Sequence, residues 1–516
     1  MKVLLIQAKQ KKEDRFIIHP PYGLLYLASV LRNSSIEVKI YDMNILSFND
    51  YNTYFKEISN IVVDWKADII GIGGMASSFK CAKETAIYLK EKFPDIPLVA
   101  GGLLISACPD LVMKYTRFDI GCIGEGEEII VELCKKIYEG KELEEIEGLV
   151  LRKYESQVVI TGGESFLTGR RKRTRDNLDW IPLPSYDLID LPKYLVQQSF
   201  CMDLLKRYLK KQGFSKNTFA RISPYAMPIF SGRGCPFNCS FCFSTMDKSP
   251  IKHSVDYVIK HIEHLESNYG INHFQFLDEN FNIYRNWVIE FCKKMIDKGK
   301  KYYFTTGNRN RVGFFDREVL EFMREANFYD ISVGVESLDD YILKEINRGI
   351  NSQQIIETLK MIKEVGIEQE HIRCLFGFPS DTQETIFNSI KKGNNLGYKT
   401  LFALVIPLPG TQLYRYCLQK RIIKDELAYL EELYEADGYR NMTVFKNLNY
   451  VTKIMNKANR YSEIDYSLRN KDYLGYIKVI FVIYLSSIRK IFGRILGVLG
   501  IKSQVKGILK RRLKIK

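Results

Sequence analysis

Residues 231–243 read Ser231-Gly-Arg-Gly-Cys235-Pro-Phe-Asn-Cys239-Ser-Phe-Cys242-Phe243, and the cysteines in this run are spaced C-x3-C-x2-C. Thiolates are the soft ligands that iron–sulfur clusters require. A tight loop that has glycine before its first cysteine and proline after it can wrap one cluster. The run therefore predicts a 4Fe-4S cluster in which Cys235, Cys239 and Cys242 hold three irons and the fourth iron stays open to a small molecule.

The competing interpretation of these cysteines is a structural zinc site. Such sites are nearly always closed by four ligands, usually as paired sets of cysteine or histidine. No second cysteine pair lies near this run in the sequence, and His253 is the only close candidate for a fourth ligand. The spacing thus favours the cluster over zinc.

The sequence around the cysteine run alternates between strand-like and helical stretches from residue 227 to about residue 415. Short apolar or β-branched runs predict strands at residues 227–231, 273–277, 302–306, 330–335, 372–376 and 401–406. Helical patterns lie between them at residues 255–269, 287–298, 317–326, 352–365 and 382–395. This alternation predicts a partial (β/α)6 barrel of the TIM type, with the cluster run at its active-site mouth.

The first 165 residues show a similar alternation. Apolar runs at residues 3–6, 38–41, 69–72 and 97–100 are separated by helical stretches such as 23–32 and 82–92. The pattern predicts an α/β domain with a doubly wound, Rossmann-like parallel sheet. Such sheets bind ligands beyond the carboxyl ends of their strands. The sequence places glycine-rich segments there, at residues 71–78, 101–102 and 124–127.

Residues 166–226 are predicted to connect these two domains, and residues 416–516 to form a helical region with a basic tail. Within the connector, the charge run 170–175 has the default interpretation of a solvated surface loop. Residues 181–192 are rich in proline and predict a bridge over the surface. Residues 202–211 predict a basic helix of unassigned role.

Cysteine content and the N-terminus favour a cytoplasmic protein. Eleven cysteines spread thinly over 516 residues suit reduced thiols rather than a disulfide framework. The first apolar run is too short for a secretory signal and predicts a buried strand.

The net charge of +15 lies mostly in the tail. Residues 473–516 contain eleven Lys and Arg and no Asp or Glu, so the rest of the chain carries a net charge of only +4. Because that remaining charge is small, nucleic acid is not an expected partner. Residues 479–488 are apolar but too few to span a membrane. An apolar stretch followed by a basic one suits peripheral contact with the inner face of a membrane. The alternative is an apolar stretch packed on the protein with a solvated basic end.

The cysteine run resembles the signature of the radical S-adenosylmethionine (SAM) superfamily, including the aromatic Phe241 before the last cysteine. In that family the open iron chelates the amino and carboxylate groups of SAM, and an electron from a flavodoxin or ferredoxin type of donor cleaves it to a 5′-deoxyadenosyl radical. The resemblance implies that Asp278 and Glu279 position the amino end of SAM, with Asn280 as a further polar candidate. It also implies that Glu336 contacts the ribose or amino end and that Gly377 lets the backbone approach the adenine. Each carboxylate also has a simpler explanation, because an acidic residue after a strand often caps the next helix.

The first domain resembles the cobalamin-binding domain of cobalamin-dependent radical SAM enzymes. The segments that carry this resemblance are His19-Pro-Pro-Tyr-Gly-Leu-Leu-Tyr-Leu-Ala28, Val38-Lys-Ile-Tyr-Asp42, Asp68-Ile-Ile-Gly-Ile72, Ala100-Gly-Gly102 and Ile123-Gly-Glu-Gly-Glu127. The resemblance implies cobalamin contacts at Pro21, Gly23, Gly71, Ser77, Gly101, Gly102, Gly124 and Glu125. The D-x-H-x-x-G motif that supplies an imidazole to cobalt in other cobalamin proteins is absent, and His19 is expected to be a loop residue rather than a cobalt ligand.

The two resemblances together imply methylation of an unactivated carbon in a small-molecule or lipid-like substrate. Residues 407–414 match the closing segment of this class and are expected to border the substrate pocket. The first alternative is a radical ring-forming or rearranging enzyme that uses cobalamin. The second is an RNA-modifying methylthiotransferase, which the sequence disfavours because the cysteines of the first domain form no tight triad. The third is a non-catalytic cobalamin-binding sensor.

Overall fold

Two sets of parallel strands, one in each half of the chain, organise the protein. The computed structural model describes residues 1–10, 19–45, 51–152, 158–161, 171, 173–195, 199–211, 222–243, 248–299, 301–367, 371–435 and 439–469.

The first half forms a seven-stranded sheet with helices between its strands. Its elements are β1 (Lys2–Gln7), α1 (Tyr22–Asn33), β2 (Glu37–Asp42), α2 (Tyr51–Trp65), β3 (Ile69–Gly73), α3 (Phe79–Lys92), β4 (Leu98–Gly101), α4 (Leu103–Ala107), α5 (Pro109–Tyr115), β5 (Ile120–Cys122), α6 (Gly126–Glu139), β6 (Leu149–Arg152) and β7 (Val158–Ile160). The strand order is β2-β1-β3-β4-β5-β6-β7.

The first five strands of this sheet are parallel and confirm the predicted doubly wound fold. Their order, 2-1-3-4-5, places the topological switch point between β1 and β3, where ligands bind in open α/β sheets. Four of the six residues of β1 and all of β3 are buried, which explains their continuous apolar runs. The antiparallel strands β6 and β7 extend the sheet beyond β5 and are not part of the predicted pattern.

The connector contributes a helix, and the second half then forms the barrel. The elements are α7 (Ser199–Lys211), β8 (Met227–Ile229), β9 (Gly232–Arg233), β10 (Ile251–Lys252), α8 (Val255–Tyr269), β11 (His273–Phe276), α9 (Arg285–Asp297), β12 (Tyr303–Asn310), α10 (Arg317–Glu325), β13 (Phe328–Val333), α11 (Asp340–Glu345), α12 (Ser352–Val365), β14 (His371–Phe376), α13 (Gln383–Asn395) and β15 (Lys399–Leu404).

Six of these strands confirm the predicted partial barrel. The strands β8, β11, β12 and β13 are hydrogen-bonded in that order, and all their pairings are parallel. The parallel pair β14–β15 continues this wall, because an isolated parallel bridge joins Glu336, just after β13, to Cys374 of β14. The layer between the strands and the outer helices is rich in aromatic rings. Phe276 and Phe304, whose centroids lie 6.0 Å apart, both pack against Phe291 of α9.

The basic helix α7 lies at the amino end of the barrel, opposite the mouth. Its Leu205, Tyr208 and Leu209 form a buried cluster with Tyr303 and Tyr329, which begin or nearly begin β12 and β13. The Tyr208 hydroxyl donates to the Arg324 carbonyl at 3.2 Å. The helix therefore covers the floor of the barrel, a role that its sequence did not indicate.

Three helices follow the barrel: α14 (Gln412–Gln419), α15 (Glu426–Glu435) and α16 (Leu448–Arg469). The helix α16 packs along β15, the last strand. Asn459 of α16 accepts from the Phe402 backbone N–H at 2.7 Å and donates to the Phe402 carbonyl at 3.1 Å. Ser462 accepts from the Thr400 backbone N–H at 3.1 Å. Side chains thus replace a neighbouring strand at this open edge.

The charge run at residues 170–175 was predicted to be a solvated loop. That prediction is wrong for Arg171 and Arg173, which are partly buried, whereas Arg175 is exposed. Three of its arginines each pair with a glutamate in α6 or at its N-terminal cap. The pairs are Arg171 with Glu132 at 2.6 Å, Arg173 with Glu125, and Arg175 with Glu128 at 2.9 Å. The glutamates are three and four residues apart, so they lie along one side of the helix, and their ion pairs with the arginines hold the connector against the first domain.

The proline-rich segment 181–192 bridges the two domains as predicted, but part of it is buried between them rather than lying over the surface. Tyr186 is buried, and its hydroxyl lies 2.9 Å from Nε2 of His261 in α8. On its other side, the Ser185 backbone N–H donates to the Leu25 carbonyl of α1 at 3.3 Å. Residues 184–186 are buried because they fill the space between α1 and α8, whereas Asp187, Asp190 and Pro192 are exposed.

The basic tail, residues 473–516, lies outside the described residues, so the membrane helix predicted there stays a prediction. Among the helices that are described, none combines the length and apolar composition needed to cross a bilayer.

Candidate active site

A cavity of about 680 Å³ lies between the carboxyl edge of the first sheet and the mouth of the barrel. On one side it is lined by the strand ends Gln7, Gly73 and Gly101. On the other side, the barrel contributes Phe230, Arg233, Leu277 and Glu279. The two domains therefore share one cavity, at the position where both folds bind ligands.

All the residues expected to contact cobalamin lie on the wall of this cavity. They are Pro21, Gly23, Gly71, Ser77, Gly101, Gly102, Gly124 and Glu125. A Cβ added to Gly23 or Gly101 would meet no heavy atom within 4 Å, so the glycines leave open space that a large ligand can occupy. Gly102 has a φ of +75° and passes close to the Gly74 backbone, a conformation that favours glycine. The cavity fits a large cofactor, while the individual contacts stay predictions.

His19 precedes α1 in an irregular segment, as expected of a loop residue. It also lines the cavity, which its position before two prolines did not indicate.

The cysteine run forms a loop at the mouth of the barrel, and glycines shape its beginning. At Gly232, β9 pairs antiparallel with β10, and an added Cβ would lie 2.5 Å from the Ile251 carbonyl oxygen. Gly234 has a φ of +92°. These two positions require glycine because a side chain would collide with β10 or strain the backbone just before Cys235.

The three cysteines lie together in this loop. Cys239 is buried, and its carbonyl accepts from the Cys242 backbone N–H at 3.1 Å. Part of the Cys242 side chain reaches solvent, yet desolvation by the loop and the adjacent thiols Cys239 and Cys235 raise its pKa to about 11. Burial also raises the pKa of Cys235. Thiolates this close together repel one another unless positive charge lies between them. The irons of an iron–sulfur cluster would supply that charge.

The candidate fourth ligand of a zinc site, His253, is buried. His253 stacks on Tyr257, with ring centroids 3.8 Å apart, and burial lowers its pKa to about 2.

Asp278 lies beneath the cluster loop, where a buried network engages both of its oxygens. One oxygen accepts from the Ser231 backbone N–H at 2.7 Å, and the other accepts from the Ser231 hydroxyl and from Lys252 Nζ at 3.1 Å. Burial lowers the pKa of Lys252, an effect that the adjacent Asp278 opposes. In this position Asp278 braces the start of the loop, and its role in positioning SAM stays a prediction.

Glu279 is the carboxylate of this pair that faces the cavity. It accepts from the Gly234 backbone N–H at 3.2 Å, and burial together with the negative Asp278 raises its pKa. It stays the better candidate for the amino end of SAM. The amide oxygen of Asn280 accepts from the Arg311 backbone N–H at 3.2 Å, so Asn280 links this segment to the end of β12.

Glu336 and Gly377 lie where β13 and β14 end at the mouth. Glu336 is buried with a φ of +58°, an uncommon conformation for a residue other than glycine. Gly377 has a φ of +108°, and a Cβ there would approach the Tyr439 ring to 2.9 Å. The lack of a side chain at Gly377 thus leaves room for the Tyr439 ring. The predicted contact of Gly377 with adenine stays a prediction. Phe241 packs against Phe378, with ring centroids 5.6 Å apart.

The segment at residues 407–414 contacts the cluster loop and the first domain. The Leu413 backbone N–H donates to the Ser240 carbonyl at 2.9 Å. Gly410 lies so close to the Phe243 ring that an added Cβ would collide with it. The segment therefore borders the mouth, and its contact with substrate stays a prediction.

Comparison with known proteins agrees with this geometry. The family description "B12 binding domain" matches residues 16–134, and "Radical SAM superfamily" matches residues 229–392. The chain is a cobalamin-binding member of the radical SAM superfamily.

Relatives of this radical SAM protein are named as methyltransferases and as cyclases. It is 29% identical over 433 residues to an "Uncharacterized methyltransferase PH0819" of Pyrococcus horikoshii, covering 82% of this chain and 84% of the relative. It is 24% identical over 448 residues to an "Anaerobic magnesium-protoporphyrin IX monomethyl ester cyclase" of Rubrivivax gelatinosus, covering 84% and 70%. The solved structure of the radical SAM methyltransferase TsrM from Kitasatospora setae, with cobalamin and a 4Fe-4S cluster bound, matches with a TM-score of 0.63 at 18% identity, covering 81% of this chain and 75% of that one. At that identity the match shows a shared fold.

The sequence did not reveal an ion pair that joins the cluster loop to the B12-binding domain. Arg233, two residues before the first cysteine, pairs with Glu127 at the start of α6, and both side chains are largely buried. Although burial alone would raise the pKa of Glu127, the Arg233 guanidinium lowers it below its ordinary value. Both residues stand in quoted motifs, but only the fold shows that those motifs meet.

Two buried arginines beside Cys239 were also missed. Arg348 Nη1 lies 3.4 Å from Cys239 Sγ, and Arg311 stacks on the Phe237 ring of the cluster loop at 3.5 Å. Neither arginine lies near the cysteine motif in sequence, so no local pattern could have indicated them.

Proposed function

We propose that this chain methylates an unactivated carbon of a small-molecule or lipid-like substrate. The observation that carries the proposal is the single cavity lined both by the B12-binding domain and by the cluster side of the barrel mouth. When bound, the cluster with SAM would supply a radical that removes a hydrogen atom from the substrate, and cobalamin would supply the methyl group.

The protein's own residues organise this site. Cys235, Cys239 and Cys242 are the thiols that would hold the cluster, since they share one loop at the mouth. The Arg233–Glu127 ion pair ties that loop to the cobalamin side and so holds the two reacting centres at one separation. The apolar side chains of Phe230 and Leu277 help to exclude water between them.

Anaerobic reconstitution with iron, sulfide, cobalamin and SAM labelled in its methyl group tests the proposal. We expect formation of 5′-deoxyadenosine and transfer of the label to carbon in a metabolite extract, detected by mass spectrometry. The variant Cys239→Ala should abolish both signals. Cys292→Ala is the matched control, because Cys292 is buried in α9 away from the cluster loop. Label transfer that persists in Cys239→Ala would contradict the proposal.

Ring formation or rearrangement is the second candidate, and the similarity to a cyclase favours it. It predicts 5′-deoxyadenosine without transfer of the methyl label. The same experiment therefore separates the two activities.

The proposed reaction requires an electron donor of the flavodoxin or ferredoxin type. We also propose that the basic tail, residues 473–516, binds an anionic membrane. The tail argument rests on its eleven basic and no acidic residues, which would attract anionic lipid in a cytoplasmic protein. Sedimentation with vesicles of anionic lipid, compared with neutral vesicles, tests it. We expect a chain ending at residue 469 to lose binding that the full chain shows. Equal binding by both chains would contradict this role.

A further inference from the structure

The two buried arginines beside the cluster loop have no function in the proposal above. Arg311 directly follows β12, and Arg348 follows α11; they are 5% and 7% exposed. Elsewhere in the described structure, arginines such as Arg233 pair with carboxylates. Neither Arg311 nor Arg348 forms an ion pair with an Asp or Glu among the described residues.

Their hydrogen bonds go to backbone carbonyls and to a cluster cysteine. Arg311 donates to the Arg348 carbonyl, and Arg348 Nη2 donates to the Gly334 carbonyl at 2.8 Å. Arg348 Nη1 contacts Cys239 Sγ at 3.4 Å. One nitrogen of each guanidinium, Nη1 of Arg311 and Nε of Arg348, is buried without a hydrogen-bond partner.

The surrounding structure holds both arginines at this place. Gly349 passes so close that an added Cβ would lie 3.1 Å from Arg311 Nη2, so the glycine leaves room for the guanidinium. The Asn347 amide donates to the Asn238 carbonyl at 2.9 Å, which ties the segment before Arg348 to the cluster loop. The arrangement is therefore built into the fold.

Two cations buried side by side are costly unless a negative charge compensates them. Burial and the neighbouring Arg348 lower the pKa of Arg311, whereas Cys239 opposes that change. Three thiolates give an oxidised 4Fe-4S cluster a net negative charge, and reduction by one electron adds to it. Net charge and hydrogen bonds to sulfur are the main protein contributions to the potential of such a cluster.

We propose that Arg311 and Arg348 set the reduction potential of the cluster, because their guanidinium groups stabilise the additional negative charge that it gains on reduction. The electron comes from the external donor, and no proton or bond change is required. The inference depends on the three-cysteine cluster and not on whether the substrate is methylated.

The test is a redox titration of the reconstituted cluster without SAM, followed by electron paramagnetic resonance. The variants are Arg311→Gln and Arg348→Gln. The matched control is Arg317→Gln, because Arg317 lies on the outer helix α10 in an exposed ion pair with Glu364. We expect at least a tenfold lower ratio of reduced to oxidised cluster at the same potential in each test variant, a shift of about 59 mV for one electron. An unchanged midpoint in both test variants at full iron content would overturn the proposal.

The lysine variants decide the case in which glutamine prevents the cluster from assembling. Arg311→Lys and Arg348→Lys keep the charge but lose the planar group. We expect them to regain iron and a midpoint near that of the unchanged protein. If lysine fails as glutamine does, in iron content or in potential, the arginines act by shape rather than by charge and the proposal is wrong.

Discussion

Arg233 shows how one side chain joins the two halves of this protein. Its partner Glu127 is 5% exposed, so removing the carboxylate would leave a buried guanidinium charge with less compensation. We expect Glu127→Gln to lower the free energy of unfolding by about 3 kcal/mol, measured by urea denaturation at pH 7. Glu128→Gln, which affects a more exposed pair with Arg175, is the control. A loss no larger than in the control would contradict a structural role for the buried pair.

Asp381 provides a pH-dependent prediction. It accepts from the backbone N–H groups of Gly377 and Phe378 at 2.9 and 3.0 Å, and burial raises its pKa from 3.8 to about 7. Between these values the folded state holds a proton that the unfolded state has lost, so stability decreases as pH rises. We expect the unchanged protein to lose roughly 1.4 kcal/mol per pH unit relative to Asp381→Asn between pH 5 and pH 7. Parallel stability profiles for the two proteins would show that burial does not perturb this carboxyl.

Individual residues also mark how far sequence reasoning reaches. The motif around Cys235 was recognisable because its three cysteines stand within eight residues. Arg311 and Arg348 were not, because more than 60 residues separate Cys242 from either of them. Local spacing identifies ligands within one loop, but it cannot identify the side chains that other loops bring to them.

At the scale of elements, α16 closes the barrel edge with side chains. Asn459→Ala would leave the Phe402 N–H and carbonyl without their partner, and we expect a loss of about 2 kcal/mol in unfolding free energy. Asn456→Ala is the matched control, because Asn456 is an exposed asparagine on the same helix. Hydrogen exchange at the Phe402 amide should become faster only in Asn459→Ala. Equal effects of the two substitutions would mean that the helix covers this edge without capping it.

The strands of both domains were predictable because buried parallel strands are short apolar runs with polar ends. The connector was not predictable in the same way. Its arginines and prolines are typical of surface segments, and only the adjacent α6, α1 and α8 explain why it is paired or buried. Composition describes a segment alone, whereas burial depends on what packs against it.

Ligand binding in the shared cavity should raise the free energy of unfolding of the whole chain. Hydroxocobalamin at 100 times its dissociation constant should stabilise the folded chain by about 2.7 kcal/mol, measured as a rise in unfolding free energy. In Gly101→Leu the new side chain would project into the cavity, since an added Cβ meets nothing within 4 Å. We expect this variant to lose the stabilisation while its unfolding without ligand stays unchanged. A full effect of hydroxocobalamin on Gly101→Leu would place the ligand elsewhere.

The amino-acid sequence by itself determined the cysteine loop, the order of the two α/β domains and the glycine-rich strand ends, because each depends on residues close together in the chain. Only the tertiary structure decided that these strand ends and the barrel mouth enclose one cavity, that Arg233 reaches Glu127, and that Asp278 braces the start of the loop. These features depend on contacts between distant segments. Such contacts follow from how the sheets and helices pack, and no local pattern encodes them.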